Sequence, residues 1–393
     1  MPINGPALAR LRKALTRHTK AGWIRAVFAK PGEGADELVR TGPGEGSTPS
    51  PEAVRTLLDH AEGAARDGHV KVTLVLDSST RVRIDARYGK AKILKLNEEK
   101  IAKVMGGKER SLRPDTSGDL LRVIGIMNAD GTISAKNAKK YKQVCHLVDL
   151  CRPAWERVAA QRTVDEAHPL VVLDLGCGNS YLTFVLAHAL ALAKIPARLH
   201  GIDVRRDVIE RSRARAAELS MANVSFEVGE IRNATAADGK SEAAPDIVLA
   251  LHACDTATDE AIDQAVSGGA AEILCAPCCQ RELSTQLKKA PVRAMLRQGL
   301  LKQDYASTLT DALRIELLEA CAYSVDTVEF VGSTHTPKNL LIRAHRRYPG
   351  TPVEPSRWKL DAVTASCTAL GVNPAGLALL AARVPTVPVG DGR

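Results

Sequence analysis

The chain has 393 residues, 45% of them hydrophobic and 25% charged, and carries a formal net charge of +9. That length calls for two or three domains around a sizeable core and excludes a disulfide-dependent mini-protein, while the composition excludes a disordered chain. The longest nearly unbroken apolar stretch, residues 181–193, contains Thr183 and His188 and falls short of the roughly 18 residues a spanning helix needs, so no membrane segment is expected.

In chain order, Leu8, Leu11 and Leu15 recur at helical spacing within residues 6–18, and Gly22 introduces a strand-like run at 23–29. The Pro/Gly/Ser-rich run 31–51 is predicted to be one long loop. A helix is expected at 52–66, followed by strands at 70–76, 81–87 and 92–96. In the second of these strands basic and apolar residues alternate, which places Arg81, Arg83 and Arg87 on one face with Asp85. These elements predict a small α+β domain with a basic sheet face. Residues 106–118, with Pro114 and several charges, read as a linker. Helical pattern resumes at Asp119, and 134–150 sets Val144, Leu147 and Val148 on one side with Lys136, Lys139 and Lys140 elsewhere.

From residue 169 onward apolar runs alternate with helical stretches, the pattern of a parallel sheet covered on both faces. Strands are predicted at 170–175, 198–202, 224–228, 246–251, 272–276, 325–331 and 339–345, and 384–393 is read as a frayed tail. Arg10, Arg12, Lys13 and Arg17 open the chain without an apolar block and cleavage site, so a cytoplasmic protein is expected; a Ser-poor transit peptide is the alternative. Nine cysteines, an odd number, are read as reduced thiols.

The positive excess is confined to the first part. Residues 1–168 hold 30 Lys+Arg against 20 Asp+Glu, and residues 169–393 hold 24 against 25. Such asymmetry predicts that the N-terminal part meets a polyanion, a solvated basic surface being the alternative. With 13 aromatic residues in the whole chain, phosphate and shape contacts would dominate over base stacking.

The run V-V-L-D-L-G-C-G-N-S, residues 171–180, joins a strand to a helix, and Gly176 and Gly178 permit a tight turn and close approach of a ligand. A dinucleotide fold would place a third glycine at position 181, where this chain has Tyr181. Asp203 ends the second strand 25 residues after Gly178, where a carboxylate can accept both hydroxyls of a ribose. Asp174, directly before the turn, would repel a phosphate but can accept from a ligand ammonium group. A packing turn with no ligand is the alternative.

At these residues the sequence resembles the class I S-adenosylmethionine-dependent methyltransferases, over about residues 140–346. The resemblance implies an α/β fold, a Rossmann-like seven-stranded class I sheet closed by an antiparallel hairpin around Asn339, with the N-terminal α+β domain appended. It further implies S-adenosyl-L-methionine as cofactor, held by Asp174, Gly176, Cys177, Gly178, Asn179, Asp203 and Val204, with Glu230 and Ile231 bordering the adenine and Leu251 and His252 closing the site. The expected domains are 1–118 for recruitment, 119–350 for methyl transfer and 351–393 as a helical extension.

Residues just after parallel strands are those that reach a methyl acceptor. L-H-A-C-D supplies His252, Cys254 and Asp255; A-P-C-C-Q-R supplies Cys278, Cys279, Gln280 and Arg281; and H-T-P-K-N supplies His335, Lys338 and Asn339. This set resembles a narrower branch of methyltransferase-like proteins that includes a tRNA 2′-O-methyltransferase. His252, Asp255 or His335 is expected as the base and Lys338 as an orienting or deprotonating group, with core packing, a helix cap, an exposed loop and a solvated lysine as their respective alternatives. Cys278 or Cys279 is a candidate nucleophile; zinc held with His252 and Cys254, and inert packing, are the other readings. Tyr141, Gln143 or His146 is expected to form a lid. RNA, tRNA or rRNA, is the expected substrate, reached through the basic N-terminal part; a protein or small-molecule methyltransferase and a non-catalytic RNA-assembly factor are the rivals.

Overall fold

A computed structural model describes residues 3–32, 37–234, 244–251, 253–277, 280–287, 292–329, 339–347 and 356–382. The chain divides into two compact units, Met1–Cys145 and His146–Arg393.

The first unit is a five-stranded antiparallel sheet, β1 (Arg25–Ala29), β2 (Glu37–Thr41), β3 (Lys71–Val75), β4 (Thr80–Asp85) and β5 (Lys90–Lys95), in the order β2-β1-β3-β4-β5. Helices α1 (Gly5–His18) and α2 (Pro51–Arg66) cover one face. Both helices start on a polar cap followed by proline: Asn4 accepts from the Ala7 amide and Ser50 from that of Ala53. Leu11 and Leu15 of α1 and Leu57 and Ala61 of α2 pack on Phe28, Val72, Leu74, Val82 and Ile84.

Three expectations change here. Strand β2 lies inside the run read as a loop; it is exposed along its whole length and so carries no apolar alternation. The stretch read as a linker, 106–118, lies between α3 (Glu98–Met105) and α4 (Gly118–Val123); its first four residues are exposed, but Leu112 is fully buried and Pro114 and Ser117 are buried. Arg81, placed on a basic face, is 6% exposed, while Arg83 on the same face is exposed and pairs with Asp130 at 3.0 Å.

Helix α5 (Ala135–Gln161) continues beyond the predicted end at 150 and carries Pro153 in its interior. Its C-terminal turns are fixed to the amino ends of strands by bidentate pairs, Arg157 with Glu272 and Arg162 with Asp246.

The second unit holds a seven-stranded sheet: β6 (Leu170–Leu175), β7 (Ala197–Asp203), β8 (Val224–Val228), β9 (Ile247–Ala250), β10 (Glu272–Cys275), β11 (Tyr323–Glu329) and β12 (Leu340–Arg346). Their order is β11-β12-β10-β9-β6-β7-β8. The β8-to-β10 strands pair in parallel, and β12 runs antiparallel between β10 and β11. This is the Rossmann-like sheet with its closing hairpin that the resemblance implies. Between the strands run α6 (Tyr181–Leu192), α7 (Arg206–Glu218), α8 (Thr256–Ser267), α9 (Glu282–Gln286), α10 (Arg293–Leu296) and α11 (Gly299–Ala320). The terminal α12 (Arg357–Leu370) and α13 (Ala375–Ala381) belong to the core of this unit: Leu360, Val363, Cys367 and Leu380 are each at most 3% exposed. Among the described residues no helix is long and apolar enough to cross a membrane.

Candidate functional site

From β6 the chain proceeds to β7 and β8 on one side and later to β9 and β10 on the other, so the strand order reverses between β6 and β9. A crevice outside the carboxyl ends of strands opens at such a point. The turn Gly176–Ser180 sits there. Gly176 and Gly178 adopt φ of 69° and 55°, a left-handed conformation that costs glycine little, and Ser180 follows at 56°. The amides of Gly176 and Cys177 both donate to the Ile202 carbonyl, which fastens the turn to β7.

Asp203 completes the arrangement. One carboxylate oxygen accepts from the Gly178 amide at 2.9 Å, the other from the Arg205 amide at 2.9 Å and from Arg205 Nε at 3.1 Å. Burial pushes its pKa up, but these donors outweigh burial and hold it below the usual carboxylate value, so Asp203 is an anion at neutral pH. Next to it Val204 is 63% exposed, an apolar side chain presented at the strand end, and half-buried Ile231 follows β8. Glu230 is exposed and pairs with Arg232 at 3.2 Å.

Asp174 lies beneath the turn, 3% exposed, and accepts from Thr183 Oγ1 of α6. Its other oxygen has no hydrogen-bond partner among the described residues. Burial raises its pKa to about 6, Thr183 works against that rise and the nearby Asp203 charge adds to it. A folded-state pKa above the unfolded value means that the native state holds this proton more tightly. Stability is therefore lost as pH rises from about 4 to 6, by about 3 kcal/mol for a shift of about two units. The Asp174→Asn variant should gain up to that amount at pH 7.5 and little at pH 4, read from denaturant midpoints; an equal change at both pH values would contradict this assignment.

Two of the residues expected to contact the cofactor have buried side chains. The Cys177 side chain is 2% exposed and points toward Gly201, where an added Cβ would lie 3.1 Å from its sulfur. Leu251 is 3% exposed and lines, with Leu147, Leu182 and Val185, a void of about 10 Å³ in the helix layer. Asn179 is exposed, its carbonyl bound by Arg215.

On the acceptor side His252, Cys278, Cys279, His335 and Lys338 lie outside the described residues. Asp255, expected as a base or as a cap of α8, makes no side-chain cap bond to α8. Its Oδ1 accepts from the amides of Arg281 and Glu282 at 2.9 and 3.1 Å, so that oxygen caps α9. Tyr141 departs from its expected place in a lid: it is fully buried and its hydroxyl donates to the Leu112 carbonyl at 2.6 Å. Gln143 is half-buried and His146 exposed. Cys254 is exposed, and among the described residues no group of His, Cys, Asp and Glu could hold a metal ion.

Sequence reasoning missed the buried polar network behind these loops. Arg314 of α11, 2% exposed, makes a bidentate pair with Asp259 of α8 at 3.0 and 2.7 Å and donates to the Asp255 carbonyl at 2.8 Å. Asp311 lies 3.7 Å from the same guanidinium and accepts from Gln280, whose carbonyl and side chain are held by Gln303 and Ser307. The loops after β9 and β10 are thus tied to α11 by one set of charges.

Residues 139–286 match a family model described as a methyltransferase domain. Similar solved structures include an rRNA methylase from Streptococcus thermophilus (13% identity, 47% of this chain and 89% of that one, TM-score 0.30). An S-adenosylhomocysteine-bound methyltransferase from Podospora anserina is another (14%, 65% and 99%, TM-score 0.37). A third is the bifunctional kinase-methyltransferase WbdD (19%, 52% and 39%, TM-score 0.34), of whose length the match spans about two-fifths. No curated protein matches the chain.

Proposed function

We propose that the chain, whose residues 139–286 match a methyltransferase-domain model, is a methyltransferase that uses S-adenosylmethionine. It transfers the methyl group of S-adenosylmethionine to RNA, tRNA or rRNA, in the cytoplasm. The observation that carries the transfer reading is the ionised Asp203 bonded to the Gly178 amide of the positive-φ turn, with apolar Val204 exposed beside it. The donor set fits the cofactor: a carboxylate for a ribose diol, apolar Val204 and Ile231 for an adenine face, and the open oxygen of Asp174 for an ammonium group.

When bound, S-adenosylmethionine supplies a methyl group on a sulfonium that leaves as a neutral thioether while the acceptor bonds the carbon and gives up its proton. The protein must align the acceptor and, for a hydroxyl, take that proton. His252, His335 and Lys338 are the proposed proton-handling groups and Cys278 the proposed nucleophile for a carbon acceptor. Asp255 holds the loop between them through its cap on α9.

RNA as the substrate rests on charge: residues 1–145 hold 27 Lys+Arg against 16 Asp+Glu, whereas residues 146–393 hold 27 against 29. Incubation of the full chain and methyl-labelled cofactor with a cell extract should place label in the RNA fraction. Label in protein or in small metabolites would overturn the substrate, and cofactor binding without transfer to any fraction would overturn the enzyme.

A further inference from the structure

Helix α1 contains no acidic residue, and its cations fall on two flanks with different surroundings. Arg12, on one flank, is neutralised by α2 through Glu62 at 2.7 Å and Asp59 at 3.9 Å. On the other flank Lys13 and Arg17 have no carboxylate partner among the described residues. That flank borders a groove of about 400 Å³ between α1 and the β4–β5 turn and edge strand β5.

The groove exists because neither helix covers β5, which is exposed along most of its length. Ala91 and Ile93, paired with Ile84 and Val82 and so on the core face of the sheet, form an apolar floor, with Ile93 56% exposed. At one end the turn comes close to α1: a Cβ at Gly89, whose φ is +63°, would lie 2.6 Å from Cβ of Arg10. Of the four aromatic residues in this unit, Trp23, Phe28 and Tyr141 are buried, and Tyr88 of this turn stands 61% exposed at the groove. No carboxylate lines it, and Arg10 is held to the rim by its bond to the Arg87 carbonyl.

We propose that this groove binds a single-stranded segment of RNA, its phosphates on Lys13 and Arg17 and a base against Tyr88. The inference rests on the reading of RNA as substrate and assigns that recruitment to one face of the first unit. Uncompensated cations over an apolar floor with one exposed ring are what a polyanion with planar apolar faces requires; an acidic peptide would use the cations and leave the ring unemployed.

The test is anisotropy of a fluorescein-labelled single-stranded RNA titrated with the full chain across a KCl series. Each phosphate contact contributes about 0.7 to the salt slope, so Lys13→Gln/Arg17→Gln should flatten it by about 1.4 and weaken binding about 10- to 30-fold near 0.1 M salt. Tyr88→Ala should weaken binding about fivefold or more with the slope unchanged. All three side chains are exposed, and circular-dichroism spectra and melts that match the wild type report that the first unit of the variants is folded. Wild-type slope and affinity in these variants would overturn the groove while leaving RNA as substrate standing. Variant-sensitive RNA binding without methyl transfer to RNA would leave the groove and overturn the substrate. Variant-sensitive binding of polyglutamate in place of RNA would identify an acidic protein partner and overturn the proposal.

Discussion

Replacement of Arg314 by methionine should destabilise the second unit by about 3–5 kcal/mol, because it strands the Asp259 and Asp311 carboxylates in a site from which water is excluded. Arg314 and Asp259 are 2% and 5% exposed, so solvent cannot substitute for the lost guanidinium. Methionine matches the length of the alkyl stem, which keeps the loss from being mainly a cavity effect. Gly376 of α13 also abuts this pair, since an added Cβ there would lie 2.7 Å from Asp259 Oδ1, so no neighbour can move in cheaply. The expected measurement is a shift of the urea midpoint or a fall in Tm of roughly 6–20 °C. The double variant Asp259→Asn/Arg314→Met should lose less than the sum of the single changes, as the two groups form one unit. A single-variant loss below about 1 kcal/mol would show that the network carries no weight.

Replacement of Asp203 by asparagine should weaken S-adenosylmethionine binding by about 100-fold or more. Two charge-assisted hydrogen bonds to a ribose diol contribute about 3–6 kcal/mol together, and the amide supplies one acceptor where the carboxylate supplies several. The same change places an NH2 group among donors, since the amides of Gly178 and Arg205 and the guanidinium of Arg205 all point at this side chain. The free protein carries the complementary signature. With its folded pKa depressed, Asp203 contributes stability above the unfolded carboxylate value that is lost as pH falls through the folded one, and Asp203→Asn should lose stability at neutral pH but not in strong acid. Unchanged affinity in this variant would remove Asp203 from the cofactor site.

Much of the second unit was legible because buried parallel strands are short continuous apolar runs. Strands β6 and β8 begin and end where the pattern predicts, at Leu170–Leu175 and Val224–Val228. The glycine turn was legible for a local reason, since two glycines between an apolar run and a helix have few uses. Strand β2 was not: Leu38 and Val39 are 36% and 41% exposed at the sheet edge, so no buried face marks Glu37–Thr41 amid its glycines and prolines. The run of α5 through Pro153 to Gln161 is accompanied by the burial of Ala154, Trp155 and Val158 and by ion pairs of Arg157 and Arg162 with Glu272 and Asp246, far along the chain.

Long-range pairing also explains what was unreadable at the site. Asp255 precedes α8 in sequence and reads as its cap, yet its carboxylate serves α9, 26 residues on. Arg314 lies 55 residues from Asp259, and each falls in a helix where charged residues ordinarily face water. A periodicity argument assigns such residues to the surface, and only the packed sheet reveals that they seal it.

On the proposed function, the turn after β6 and the carboxylate ending β7 together hold S-adenosylmethionine. Calorimetric titration of the full chain with that compound tests it most directly. Saturable binding at one site per chain, abolished or strongly weakened in Asp203→Asn, is expected; absence of a binding isotherm with the folded wild-type protein would rule this cofactor site out.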